Sequence, residues 1–162
     1  MKSFFTNSHL NLQLRRRMIK CYVIPVLLYG MKAWSISKAT MKKIESFEMW
    51  LYRRVLNISW TLRITNEDVL RRINKERELV NTVKARELKY FCHVMRGERY
   101  NVLRLIMEGK FAGKRSSGRR RTSWLRNLRE WFGCTSLQLF RAAVSKLRIA
   151  IMIANLRRET AS

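Results

Sequence analysis

Thirty-five lysines and arginines against 11 aspartates and glutamates give this 162-residue chain a formal charge of +24. A charge that one-sided repels itself until a polyanion neutralises it, so nucleic acid is the first candidate partner and an acidic membrane surface the second. Asp68 is the sole aspartate and the glutamates are scattered, which excludes the clustered carboxylates that two-metal polymerase and nuclease chemistry requires.

No cofactor or metal-ligand pattern stands out. His9 and His93 lie far apart, and Cys21, Cys92 and Cys134 show no CxxC spacing. The cysteines read as small buried hydrophobes in a reducing compartment. Nothing local suggests Ser-His-Asp chemistry. A hydrophobic content of 47% supports a core in one domain, and one proline with six glycines points to long helices.

The first acidic residue is Glu45. Arg15, Arg16 and Arg17 sit among Leu12, Leu14, Met18 and Ile19, a start that resembles a mitochondrial transit peptide or opens a basic helix of the fold. The apolar pattern runs on into Tyr22, Val23 and Ile24, which favours the helix. The run at 21–29 falls short of the roughly 20 apolar residues that span a bilayer. It contains Pro25 and is followed by Gly30, so a kinked, buried helix is expected over 10–29.

Ser37 is the expected N-cap of the next helix, which runs to 56. Ile44, Phe47, Leu51, Val55 and Ile58 mark its apolar face at steps of three and four. Trp50 falls beside that stripe with Lys43 and Arg54 on the same edge, and Arg53 precedes Arg54. An indole beside guanidinium groups either packs against a neighbouring helix or stacks on a base. Thr65, Asn66, Glu67 and Asp68 form a capping-box pattern that gives the lone aspartate a structural reason. A long helix is expected over 76–96, with Leu79, Val83, Tyr90 and Val94 as its stripe, a hydrogen-bonded and half-buried His93 beside it, and Gly97 as its stop.

Residues 109–121 break the composition. Gly109, Gly113 and Gly118 loosen the backbone, and Lys110, Lys114, Arg115, Arg119, Arg120 and Arg121 have no acidic neighbour. The stretch enters a helix near Thr122 or Ser123 that ends at Gly133, and a cationic loop against a helix N-terminus is a good phosphate site. Trp124 and Arg126 extend the patch into ordered structure; the alternative is a nuclear-localisation-like or merely solvated charge run. Thr135 caps the last helix, expected to keep one stripe through Leu137, Phe140, Val144, Leu147, Ile151 and Ala154. The expectation is an all-α, irregular bundle of about five or six helices with a basic Gly/Arg-rich loop. It divides into a helical region over 1–108, the loop over 109–121 and a C-terminal helical segment over 122–162 that packs on the first.

A resemblance runs through these residues in order: Leu28-Tyr29-Gly30 with Trp34; Phe47-Glu48-Met49-Trp50 with Tyr52-Arg53-Arg54; Ile58-Ser59-Trp60-Thr61; Thr65-Asn66-Glu67 with Val69-Leu70-Arg71-Arg72; His93-Val94-Met95-Arg96; Gly118-Arg119-Arg120-Arg121-Thr122-Ser123-Trp124-Leu125; and Ala142-Ala143-Val144-Ser145. Together they resemble the C-terminal region, from the thumb onward, of RTE-type non-LTR retrotransposon reverse transcriptases. The chain departs from that pattern at Lys32 and Leu62, where the family usually has acidic residues, and at Cys92, where it commonly has glycine. The family's catalytic palm with its paired aspartates has no counterpart here. The resemblance implies an RNA-directed DNA polymerase family without the polymerase: a non-catalytic thumb-like fragment that grips an RNA or DNA backbone. The alternative is an interaction protein or a decayed relic. The partners implied are a polynucleotide, a reverse transcriptase palm, or a second copy through apolar helices, with no membrane. The implied location is intracellular, nuclear ahead of mitochondrial.

Overall fold

The computed structural model describes residues 10–31, 35–110 and 124–158, and every regular element among them is helical. The chain is all-α. Nine α-helical segments stand among the described residues, more than the about five or six expected, because expected helices break at points the periodicity does not mark. The residues group into two compact units. Among the described residues, the first comprises 10–31 together with 37–82, and the second comprises 35–36 with 83–110 and 124–158.

In the first unit, α1 (Leu12–Met18) is capped by the Asn11 side chain, which accepts from the Gln13 amide. It passes through a π-helical turn (Ile19–Val23) into α2 (Ile24–Leu28). Pro25 supplies the reason. A proline inside a helix removes one amide donor and crowds the carbonyl four residues back. The amide of Ile24, just before it, bonds to Ile19, five residues back, and Pro25 falls in the first turn of α2. The helix therefore passes the proline by way of the π-helical turn. The expected burial of 21–29 is corrected: Leu28 is buried, but Tyr22, Val26 and Tyr29 are 64%, 77% and 88% exposed.

α3 (Lys38–Val55) starts at Ser37, whose hydroxyl accepts from the Thr40 amide, and α4 (Asn66–Ile73) starts at Thr65, whose hydroxyl accepts from the Asp68 amide. The Asp68 carboxylate accepts the Thr65 hydroxyl proton and pairs with Arg71, so the lone aspartate is structural. Ile19, Leu51, Val55 and Ile73 close the core of this unit, with Phe47, Tyr52 and Leu56 packed against it.

α5 (Leu79–Arg96) begins in the first unit, and its residues from Val83 onward belong to the second. A 3₁₀ turn (Glu98–Tyr100) and α6 (Asn101–Glu108) follow, and then α7 (Trp124–Phe132), α8 (Ser136–Val144) and α9 (Lys146–Arg158). Gly97 ends α5 without a left-handed turn. Its φ is −84°, and a Cβ there would meet the Tyr100 ring at 2.7 Å, so glycine is required for space. Leu88, Phe91, Cys92, Leu128, Leu139, Ala143 and Ile149 form the core of the second unit. The Asn127 side-chain amide, buried in α7, donates to the carbonyl of Ile36 at 2.9 Å and ties that segment to the same unit.

The last stretch departs most from expectation. Thr135 and Gln138 complete a capping box, but Ser145 turns extended (ψ 113°) and splits one helix into α8 and α9. Leu137, Val144, Leu147 and Ile151, expected on one continuous stripe of a helix that is central in a core or pairs with a partner, are 51–76% exposed, while Leu139, Ala142, Ala143, Ile149 and Leu156 are buried.

Candidate nucleic-acid interface

Trp50 stands on α3 with half of its surface in solvent. Its ring stacks on Phe47 at 5.8 Å between centroids, and the Arg54 guanidinium lies 5.5 Å from the indole centroid. The i, i+4 spacing on the helix creates this pair, and Phe47, anchored against the core, holds the indole upright. The indole is thus sandwiched into a small aromatic and cationic cluster that keeps half of its surface in solvent. Arg53, the adjacent cation, has a different job. Its guanidinium donates to the Ile64 carbonyl and the Asn66 side chain, both at 2.8 Å, and fixes the loop before α4.

Of the basic stretch, Lys114, Arg115, Arg119, Arg120 and Arg121 lie outside the described residues. Lys110 pairs with Glu108 at 2.7 Å, and Arg126 with Glu130 at 2.7 Å across one turn of α7. Trp124 packs on the core of the second unit, edge-on to Tyr90 and tilted against Phe91, each 6.1 Å between centroids. Its indole nitrogen is buried and has no hydrogen-bond partner among the described residues. A base cannot stack on a ring that is already covered on that side.

The helix at the start of the first unit lines a cleft of about 400 Å³ with Gln13, Arg16, Arg17 and Lys20; Tyr52 and Lys75 close the other side. Arg15 turns away from it and donates to the Val55 carbonyl at 2.6 Å, a structural anchor.

Two buried carboxylates escaped the sequence reading. Glu48 Oε1 accepts from the Tyr52 hydroxyl (2.9 Å) and from the amides of Glu78 and Leu79 (2.9 and 3.0 Å), so it caps the start of α5 from another helix. Burial raises its pKa, against the pull of those donors, and burial with the neighbouring Glu48 pushes the Tyr52 hydroxyl up. Glu87 is 1% exposed with neither oxygen hydrogen-bonded among the described residues, and burial pushes its carboxyl up to about 8. A signal existed for both. Glu48 follows Ile44 by four and Glu87 follows Val83 by four, each inside an apolar stripe.

His93 is exposed, not half-buried, and lies 3.3 Å from the Tyr100 hydroxyl. Cys21 is exposed, Cys134 is half-buried and Cys92 is buried, its thiol pushed up to about 11 by burial, so only Cys92 fits the expected role of a buried hydrophobe. No three His, Cys, Asp or Glu side chains among the described residues gather as metal ligands. No helix among the described residues is long and apolar enough to cross a membrane.

The chain is similar to an uncharacterized protein of Caenorhabditis elegans described as transposon-derived, with 29% identity over 129 residues. The match covers 77% of this chain and 46% of the relative, so the chain spans less than half of that protein's length. No family model and no solved structure matches. The similarity supports a transposon origin.

Proposed function

We propose that this chain is a nucleic-acid-binding helical portion of a transposon-encoded protein, comparable to a reverse transcriptase thumb, that grips a polynucleotide backbone and carries no catalysis of its own. The observation that carries the reading is the exposed Trp50–Arg54 pair on a chain of charge +24, two of whose 11 carboxylates are buried away from the surface. The pair offers a half-exposed indole with a guanidinium over its ring, and the surplus of cations supplies attraction along a phosphate chain. The segment with Lys110, Lys114, Arg115, Arg119, Arg120 and Arg121 adds further phosphate contacts. In this reading the protein works where transposon RNA or DNA is met, in the nucleus first. The apolar surfaces of the helices meet a palm or a second copy.

Binding of a labelled single-stranded oligonucleotide across a salt series tests the proposal. Affinity is expected to fall with salt at about 0.7 per phosphate contact on a log–log plot. Trp50→Ala is expected to cost about 1–3 kcal/mol with little change of slope. Arg119, Arg120 and Arg121 changed together to Ala should flatten the slope by roughly two. Binding that is absent, or indifferent to salt, overturns the reading. It would favour an interaction protein, for which the exposed stripe of Leu137, Val144, Leu147 and Ile151 is the surface on offer.

A further inference from the structure

The cleft beneath α1 has a composition of its own. Arg16, Arg17 and Lys20 reach it from one side and Lys75 from the other, against the single carboxylate of Glu78, which pairs with Lys75. Ile19, Ile24 and Tyr52 make its floor. The Tyr52 hydroxyl is committed to Glu48, so the ring is fixed and presents an apolar wall. No acid precedes Glu45 in the chain, so nothing on this helix neutralises its three cations. The π-helical turn begins at Ile19, among these residues. Such turns are rare and concentrate at functional sites, because the extra residue re-aims the side chains around it. Arg15, one residue from Arg16, is tied to the Val55 carbonyl, which holds the helix against α3 and keeps the cleft's walls in place.

We propose that this cleft is a second phosphate-backbone site, taking two or three consecutive phosphates of a single polynucleotide strand. It rests on the nucleic-acid reading above and gives that reading a further set of residues, none of them Trp50 or Arg54. About one helical turn, roughly 6 Å of rise, separates Arg16 from Lys20, so the cations form a short row along the cleft. Arginine forks a phosphate through two donors, and Lys20 adds a point charge, while Lys75 is paired with Glu78.

The test uses the full chain with a fluorescent 20-nucleotide oligouridylate and, separately, tripolyphosphate. Arg16→Gln, Arg17→Gln and Lys20→Gln together should flatten the salt slope by about two, from three lost contacts at about 0.7 each. Gln13→Glu serves as the variant that spares the fold, since the cap uses only the Gln13 backbone amide. It places a carboxylate at the cleft mouth and should weaken binding roughly two- to fivefold at low salt. A parent chain that binds no oligouridylate at about 50 mM salt ends the nucleic-acid reading and this one with it. A parent that binds, with both cleft variants matching it in affinity and slope, leaves that reading standing and ends the cleft. Tripolyphosphate binding lost in the cleft variants while oligouridylate binding is untouched would make the cleft a site for free polyphosphate and overturn the proposal.

Discussion

Glu87 is a carboxyl group placed where water does not reach, and among the described residues no donor meets it. In the folded chain it titrates at about 8, and once unfolded it returns to about 4.5. Between those values the folded state keeps a proton that the unfolded state has released. Stability therefore falls as pH rises from about 4.5 towards 8 and levels off above. The loss is on the order of 2–4 kcal/mol by neutral pH and beyond. Glu87→Met, similar in volume and without a charge to desolvate, should remove that component. Urea unfolding at pH 5 and at pH 8 checks it. The variant's midpoint should exceed the parent's more at pH 8 than at pH 5, and an equal offset at both would refute the account.

One level up, helices are set by residues that belong to other helices. α5 takes its first caps from Glu48 on α3, so Glu48→Ala should leave the amides of Glu78 and Leu79 and the Tyr52 hydroxyl without their acceptor. A loss of about 2–4 kcal/mol in unfolding free energy is expected, against about 1 kcal/mol for Tyr52→Phe, which removes one of the three donors and leaves the acceptor in place. A drop in Glu48→Ala no larger than in Tyr52→Phe would refute the cap. This also explains what was legible in the sequence. Ser37, Thr65, Thr135 and Gly133 act within a few residues of themselves, so their helix ends could be read locally. The Trp50–Arg54 pair was legible for the same reason, since one helix builds it. Arg53 looked like its twin, but its partners at Ile64 and Asn66 come from a loop whose path no periodicity gives. Trp124 read as an exposed extension of the basic patch, yet Tyr90 and Phe91, more than 30 residues earlier, cover it. Ser145 carried no breaker signal, and one extended residue there divides the helix in two.

At the scale of the molecule, the surface is both highly cationic and locally apolar. Tyr22, Val26 and Tyr29 are exposed in the first unit, and Leu137, Val144, Leu147 and Ile151 in the second. Monomers rarely leave large apolar patches open to water. A polarity-sensitive dye should bind the native chain, and Leu147→Glu with Ile151→Glu should reduce that fluorescence without lowering the melting temperature, because both side chains are already more than half in solvent. A fall in melting temperature with unchanged dye signal would mean these residues support the core. Charge repulsion at +24 opposes self-association at low salt, so any dimer should strengthen as salt rises, opposite in sign to nucleic-acid binding.

The hydrogen bond from Asn127 to Ile36 spans 91 residues of chain. Ile36 belongs with the second unit although the residues on both sides of its segment belong with the first. During synthesis this early piece leaves the ribosome long before its partner helix exists. At roughly 5–20 residues per second the delay is about 5–20 s. The first unit can close around α3 and α4 in that time, but Ile36 must wait in water for α7. Neither unit is a contiguous stretch of the gene, so a cut between Thr82 and Val83 would part the second unit from a piece of its own packing.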